Sequence, residues 1–518
     1  MVLILIRATH NAQEAKTRMR RFIIAALALL SFTGVGAQRL AESQEMTFAY
    51  GGGKYSPMWH MSNRQGLASE KVGFGYARLG VMGNHKFSRS GIGLDWGTDV
   101  VAGIEMTSPV LVQQAYVDVS WKMLRLSVGQ KERWSELGNK RLTSGALVES
   151  GNARPIPQVR LEIPEFWSIP GCKGWFAIKG HLAYGIFTDG AWQEDFIKPY
   201  YDETKPHSKN VLYHSKAGFM RFGNEEKFPL TAEIGLHMVT QFGGTTYNGK
   251  YSPGKTIHNP TRFKDFLLAL IPLSGDELYD GSDQANVAGN VLGSWLGGIA
   301  WKNKNWELKL HYEHAFNDHS QMFWEYGLWT EQLVGFELEL KRFKWIKSVA
   351  LEYFNLKNQS GPIYHDSTAE IPDQISCSDN NYNHSKYPGW FNYGLMIATP
   401  LCTSPIYNQD GKIRCYNNRV EAFHLGIEGE PLNWLGYRVL VTRSNNWGTY
   451  EYPFKYIKQD TSGLFELTFR PKVMKNWSIT ASFAFDNGDL YGNNYGGMIS
   501  IKRCGVYNFN DIKKRIKR

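Results

Sequence analysis

Between Leu464 and Phe485 the chain alternates with a period of two. Phe465, Leu467 and Phe469 interleave with Glu466, Thr468 and Arg470; after a link at 471–476, Trp477, Ile479, Ala481, Phe483 and Phe485 interleave with Ser478, Thr480, Ser482, Ala484 and Asp486. A side-chain period of two describes a strand with one apolar and one polar face. Roughly nine residues per strand is near the length of a tilted membrane-crossing strand. A soluble sandwich would show one such hairpin too, so the constraint comes from recurrence. Comparable runs lie at 46–57, 74–83, 91–102, 113–121, 124–131, 158–166, 176–187, 214–222, 231–240, 294–301, 306–315, 333–341, 348–357, 418–429, 436–443, 462–470, 476–485 and 495–507, eighteen in all.

The connections sharpen this reading. Short ones (84–90, 122–123, 167–175, 223–230, 302–305, 342–347, 430–435, 471–475) alternate with long ones (58–73, 103–112, 132–157, 188–213, 241–293, 316–332, 358–417, 444–461, 486–494). A barrel with both ends in the periplasm requires such alternation, and single-chain bacterial barrels have an even strand number. Phe391–Thr399 also alternates, but one extra strand would break the parity, so it is assigned to the outer loop 358–417. The expected fold is all-β: a transmembrane antiparallel β-barrel of about 18 strands, with a polar lumen, long outer loops and short periplasmic turns. His311 and Glu313, on the polar face of 306–315, are expected to line that lumen.

Composition agrees. Aromatics make up 14% and Gly 52 residues, while mean hydropathy is only −0.38. A helical membrane protein needs apolar runs of about twenty residues, and the chain has none. Residues 1–37 read as an upstream extension and secretory signal: Arg18, Arg20 and Arg21 precede the apolar run Phe22–Leu30, and Val35-Gly36-Ala37 supplies small residues for cleavage before Gln38. Met19 is the expected start. The barrel is assigned to 38–509 and a basic tail to 510–518. Of the net charge of +10, residues 1–37 carry four, and much of the remainder lies in the tail. No basic patch interleaved with aromatics points to nucleic acid.

No catalytic signature emerges: G-x-S-x-G, H-E-x-x-H, Walker A and a helix-opening G-x-G-x-x-G are absent. Asp318-His319-Ser320 resembles a triad in composition only, because a triad is assembled in space. Asp486-Asn487-Gly488-Asp489 lacks the distal ligands of a calcium loop and reads as a hairpin turn. The expectation is a non-enzyme with no metal or cofactor. Five cysteines are too few for a disulfide scaffold. Cys377, Cys402 and Cys415 fall in one outer loop, where Cys402–Cys415 is the candidate bridge. A helical signal at Phe263, Phe266, Leu267 and Leu270 stops before Pro272; it predicts a helix inside the barrel or over its mouth.

The outer loops are rich in rings: Tyr200, Tyr201, Trp324, Tyr326, Trp329, Tyr387, Trp390, Tyr393, Trp447, Tyr450 and Tyr452. Rings beside Asn, Asp and Lys suit sugars, which have an apolar face and a polar edge; interfacial girdles use the same residues.

At Gly129-Gln130-Lys131-Glu132-Arg133-Trp134, running to Ser150-Gly151-Asn152-Ala153-Arg154-Pro155-Ile156-Pro157, the chain resembles the Wzi-type outer-membrane capsule-assembly proteins. Gly289–Ser294, Phe316–Trp329, Asn417-Asn418-Arg419 and Asn445–Tyr450 extend the likeness in the same order. Ser135 and Glu136 replace the family's usual second Trp and Gly-Pro, and Asn317-Asp318 departs from its usual acidic pair. The resemblance implies an eighteen-stranded barrel in the bacterial outer membrane that binds surface polysaccharide and helps attach capsule. The candidate sugar-binding residues are Arg133, Trp134, Asn152 and Arg154, since Arg can grip a carboxylate in bidentate fashion, together with Trp324, Trp329, Trp390, Trp447 and Tyr450. The expected partners are capsular or other surface polysaccharide and outer-membrane lipid, with the protein acting as a monomer. The competing class is a diffusion channel for sugars or other small solutes. An open lumen would favour the channel and a filled one would favour binding.

Overall fold

The computed structural model describes residues 39–508 except 201, 203, 251, 277–286, 318–321, 325–328 and 360–379. The expected signal, the basic tail, Cys377, Tyr201, Tyr326 and Asp318-His319-Ser320 lie outside the described residues.

Eighteen antiparallel strands form one sheet that closes on itself. They are Arg39–Gly52, Gly73–Lys86, Ile92–Ile104, Val110–Trp121, Leu124–Gln130, Gln158–Ser168, Phe176–Ile186, Leu212–Phe222, Leu230–Phe242, Asn290–Lys302, Trp306–Asn317, Gln332–Leu340, Ser348–Asn355, Val420–Leu432, Leu435–Gly448, Pro453–Phe469, Trp477–Gly488 and Asn494–Asn508. Each pairs with its neighbours in sequence, and the seam runs from Arg39↔Asn508 to Gly52↔Tyr495. Closure leaves no free edge, as hydrocarbon demands of a spanning sheet. No helix among the described residues is long and apolar enough to cross a membrane.

The alternation read from sequence becomes an outside and an inside. Along Trp306–Asn317, Leu310 is exposed on the outer wall while His311 and Glu313 are buried in the lumen. Val117, Val119, Leu182, Ile234, Phe465 and Phe483 are likewise exposed, whereas Asp118, His181 and His237 are buried. Trp121, Trp175, Trp301 and Trp345, near the short turns, are also exposed, as an interfacial aromatic girdle requires.

Three expectations are corrected. The first strand is Arg39–Gly52 rather than 46–57; it pairs along its length with the last strand, and residues beyond Gly52 turn inward. Asp486 belongs to the strand Trp477–Gly488 rather than to a turn: its carboxylate accepts the backbone N–H of Met58 at 3.0 Å and the Ser462 hydroxyl at 2.6 Å. The helix Phe263–Leu270 is neither in the lumen nor over the mouth. Its backbone accepts from Tyr184 Oη at 2.8 Å and Lys216 Nζ at 2.9 Å. Both side chains stand on the face opposite to the lumen residues His181 and Ser215, so the helix lies on the outer wall. Phe391–Asn392 and Leu395–Met396 form a two-stranded hairpin inside the loop 358–417, outside the barrel sheet.

Candidate functional site

Three outer connections fold back into the barrel. From 53–72 come the short helix Met58–Met61 and the buried Trp59 and His60; from 132–157 come the buried Leu142, Leu147 and Val148; from the described end of 358–417 come the buried Tyr382, Trp390, Met396 and Ala398. Apart from His60, these side chains belong to one cluster with wall residues such as Ala315, Leu333 and Phe354.

Buried backbone needs partners, and the wall supplies acids. Asn139 N–H donates to Glu337 at 2.6 Å, Ser144 N–H to Glu352 at 2.6 Å and Leu147 N–H to Glu313 at 2.9 Å. His424 Nε2 lies 2.6 Å from the Leu142 carbonyl. Arg141 reaches Glu428 at 2.6 Å and Glu466 at 3.3 Å. The polar lumen expected from sequence is present, with protein in place of much of its water.

The segment Ser150–Arg154 ties the three insertions together. The Ser150 hydroxyl donates to the Ala398 carbonyl at 2.8 Å, and Asn152 Nδ2 to the Met396 carbonyl at 2.9 Å. Asn152 Oδ1 accepts the Asn63 N–H at 3.1 Å, and Gln65 N–H donates to the Gly151 carbonyl at 2.7 Å. Arg154 lies with its guanidinium 4.0 Å from the Tyr393 ring centre and donates to Thr107 Oγ1. A Cβ on Gly151 would overlap the Trp134 ring, and one on Gly66 would overlap Arg154. Arg133 donates to the Lys131 carbonyl at 3.1 Å and to Ser127 Oγ at 3.2 Å. Burial, then the nearby Arg160, lowers its guanidinium to about 10. The structure therefore brings Arg133, Trp134, Asn152 and Arg154 together as contacts within the filled lumen.

The aromatic candidates are spread out. Trp390 is buried. Trp324 stacks on Trp295 with ring centres 5.5 Å apart. Lys357 lies over Trp447 and Arg419 over Tyr450. Trp329 is exposed at 73%. The Asn417 and Asn446 motifs meet directly, Asn417 Nδ2 donating to Asn446 Oδ1 at 2.8 Å. Cys402 and Cys415 are free thiols, so the expected bridge is not formed. Cys402 Sγ faces the Asn418 carbonyl, whereas Cys415 Sγ faces the Thr403 hydroxyl.

Sequence reading missed a cavity of about 340 Å³ beneath these insertions. Arg470 and Ser478, which flank a short turn, place it towards the periplasmic end. Arg64, Arg141, Arg438, Arg470 and Lys502 line it against only Glu45 and Glu466, with hydroxyls from Thr468, Ser478, Thr480, Ser482 and Ser500. Glu466 is shared by Arg141 at 3.3 Å and Arg438 at 2.7 Å. Arg64 has no carboxylate partner among the described residues; its Nη2 is 3.5 Å from Tyr76 Oη, and its buried Nε is unpaired. Surplus guanidinium beside hydroxyls favours an anionic, hydroxylated ligand. The only signal for this cavity is the polar face of 462–485, whose partners Arg64 and Arg141 lie hundreds of residues away.

Wzi, an outer-membrane protein involved in group 1 capsule assembly in Escherichia coli and described as a carbohydrate-binding β-barrel, superposes with a TM-score of 0.52 at 12% identity, covering 92% of this chain and 86% of that one. This protein is a bacterial outer-membrane β-barrel. OccAB4 of Acinetobacter baumannii gives a TM-score of 0.43 at 9% identity, covering 90% of this chain and 98% of that one. Pseudomonas aeruginosa OprD also gives 0.43 at 9% identity, covering 90% and 94%. No family model and no curated protein matches the chain. The likeness to Wzi establishes the fold of the outer-membrane barrel; the ligand has to be argued from its own residues.

Proposed function

We propose that this barrel binds surface polysaccharide and assists capsule assembly or attachment at the outer membrane. The observation that carries the reading is the filled lumen: three insertions occupy the barrel, and the backbone of one of them, 132–157, is held by Glu313, Glu337 and Glu352. A barrel packed in this way is suited to holding a ligand at its ends rather than passing solutes through. Arginine and hydroxyl groups in the cavity supply donors for acidic sugars. The exposed Trp329 supplies a flat apolar face at the outer end. The carbohydrate binding described for the Escherichia coli protein of the same fold sets the ligand class to test.

The test is the ratio of cell-bound to shed polysaccharide in a strain lacking the gene. Polymer moving to the medium at unchanged total is the expected result. An unchanged ratio overturns attachment, and purified barrel that conducts ions steadily in a planar bilayer would make it a channel.

A further inference from the structure

Glu149 descends from the insertion 132–157 onto three adjacent wall strands. In the ladder His181 faces Ala217 and Ala217 faces His237, so the two imidazoles share one row of the lumen wall with one strand between them. Their ring centres are 5.5 Å apart. One ring nitrogen from each histidine and one oxygen of Glu149 all lie within 4.8 Å of one another. Glu149 Oε2 is 2.9 Å from His237 Nε2 and 3.1 Å from Ser215 Oγ. Ser215 Oγ is in turn 2.9 Å from His181 Nε2 and 3.4 Å from His237 Nε2. A tetrahedral ion with bonds of about 2.0–2.2 Å spaces its donor atoms about 3.3–3.6 Å apart. The four spacings of 2.9–3.4 Å lie close to that range, and the two that join His181 to Glu149 and His237 are within 4.8 Å.

The surroundings match as well. Tyr213 Oη donates to Glu149 Oε1, leaving Oε2 for the centre. Glu136 Oε1 lies 4.0 Å from His181 Nδ1, behind the ring and beyond direct hydrogen-bond reach. A carboxylate behind an imidazole orients a metal ligand once it accepts the ring N–H, which a shift of about 1 Å would allow here. Of the nearby cations, Lys179 is paired with Glu136 at 2.9 Å and Arg160 with Glu162 at 2.7 Å, while Arg133 donates to the Lys131 carbonyl and Ser127 Oγ.

We propose that Glu149, His181 and His237 form a zinc site, with the Ser215 hydroxyl at the fourth corner, that pins the insertion 132–157 to the barrel wall. Two neutral imidazoles and a carboxylate suit this borderline ion, which would bridge wall strands to the insertion.

The test uses the whole folded barrel in detergent, stripped with chelator and titrated with Zn²⁺ and, separately, Co²⁺. The expected result is saturable uptake of one ion per chain, the intense visible spectrum of tetrahedral Co²⁺, and a rise in melting temperature with Zn²⁺. Tyr213→Phe should lower affinity about ten-fold, His181→Gln or His237→Gln should lower it further, and His311→Gln, elsewhere in the lumen, should not change it. Heat-modifiable gel mobility checks that each variant is folded. Absence of saturable uptake by the wild-type barrel, a weak octahedral Co²⁺ spectrum, or binding that survives His181→Gln/His237→Gln overturns the site. The two wild-type readouts decide the matter even if a variant does not fold.

Discussion

Glu352 on the barrel wall accepts both the backbone N–H and the hydroxyl of Ser144, at 2.6 and 2.5 Å. A third bond, from Thr143 Oγ1 at 2.7 Å, converges on the same carboxylate. Both oxygens are thus used to hold one turn of the insertion. Glu352→Ala strands the two buried Ser144 donors, each worth about 1–3 kcal/mol when unsatisfied, while the Thr143 hydroxyl keeps the Gly145 carbonyl at 3.0 Å. The variant should melt earlier and conduct more than wild type in a planar bilayer. Unchanged conductance together with unchanged melting would show that this anchor does not hold the insertion.

Asp189 supplies a pH dependence. It is buried, accepts from Gln193 Nε2 at 3.0 Å and takes the Tyr393 backbone N–H at 3.2 Å. Burial raises its carboxyl from 3.8 to about 6, against the opposing pull of those hydrogen bonds and of Arg154. The folded state therefore holds a proton that the unfolded chain has lost. This contribution is fully present below 3.8, declines as pH rises to about 6 and is flat above. The total change is about 3 kcal/mol. Melting temperatures of wild type and Asp189→Asn, compared across this window, should diverge as the wild type loses that increment. Parallel curves would contradict it.

The cavity makes a charge prediction. Arg64→Gln and Arg438→Gln remove guanidinium groups from a space with few acids. Binding of an acidic polysaccharide should weaken in each, with a shallower dependence on salt, while a neutral glucan should be unaffected. Equal losses for both polymers would mean that the arginines act only on folding.

Gly151 tests the knot of insertions. An added Cβ meets the Trp134 ring. Gly151→Ala should cost about 1–3 kcal/mol by overpacking, read as a lower melting temperature. Pairing it with Trp134→Leu should recover part of that loss.

Strand identity was legible wherever one face carries charge. Trp306–Asn317 read cleanly because Leu310 and His311 differ so sharply in the environments they require. Arg39–Gly52 read poorly because Ser43, Gln44 and Glu45 place polar groups on both faces in succession. Its ladder with Asn494–Asn508 comes from the far end of the chain. The filled lumen was offered only as an alternative to an open one, because its contacts are so non-local: Ser144 and Glu352 are 208 positions apart. The short motif 150–154 drew attention for its residue types, and its structural work as a knot between insertions required the fold to be seen. For the helix Phe263–Leu270 the pattern was right and the environment inverted. Phe263 and Leu267 form its exposed side, while Asp265 and Ala269 are buried.

That helix gives the barrel a front and a back. The sector of the wall carrying Tyr184, Lys216 and Phe242 is faced with a two-turn helix whose Phe263 and Leu267 point away from the wall. A cylinder that looks the same from every side has no preferred azimuth for a neighbour drifting in the same leaflet. Among the described residues this one has a marked meridian, so a lateral encounter has a defined compass bearing before any loop above the membrane takes part.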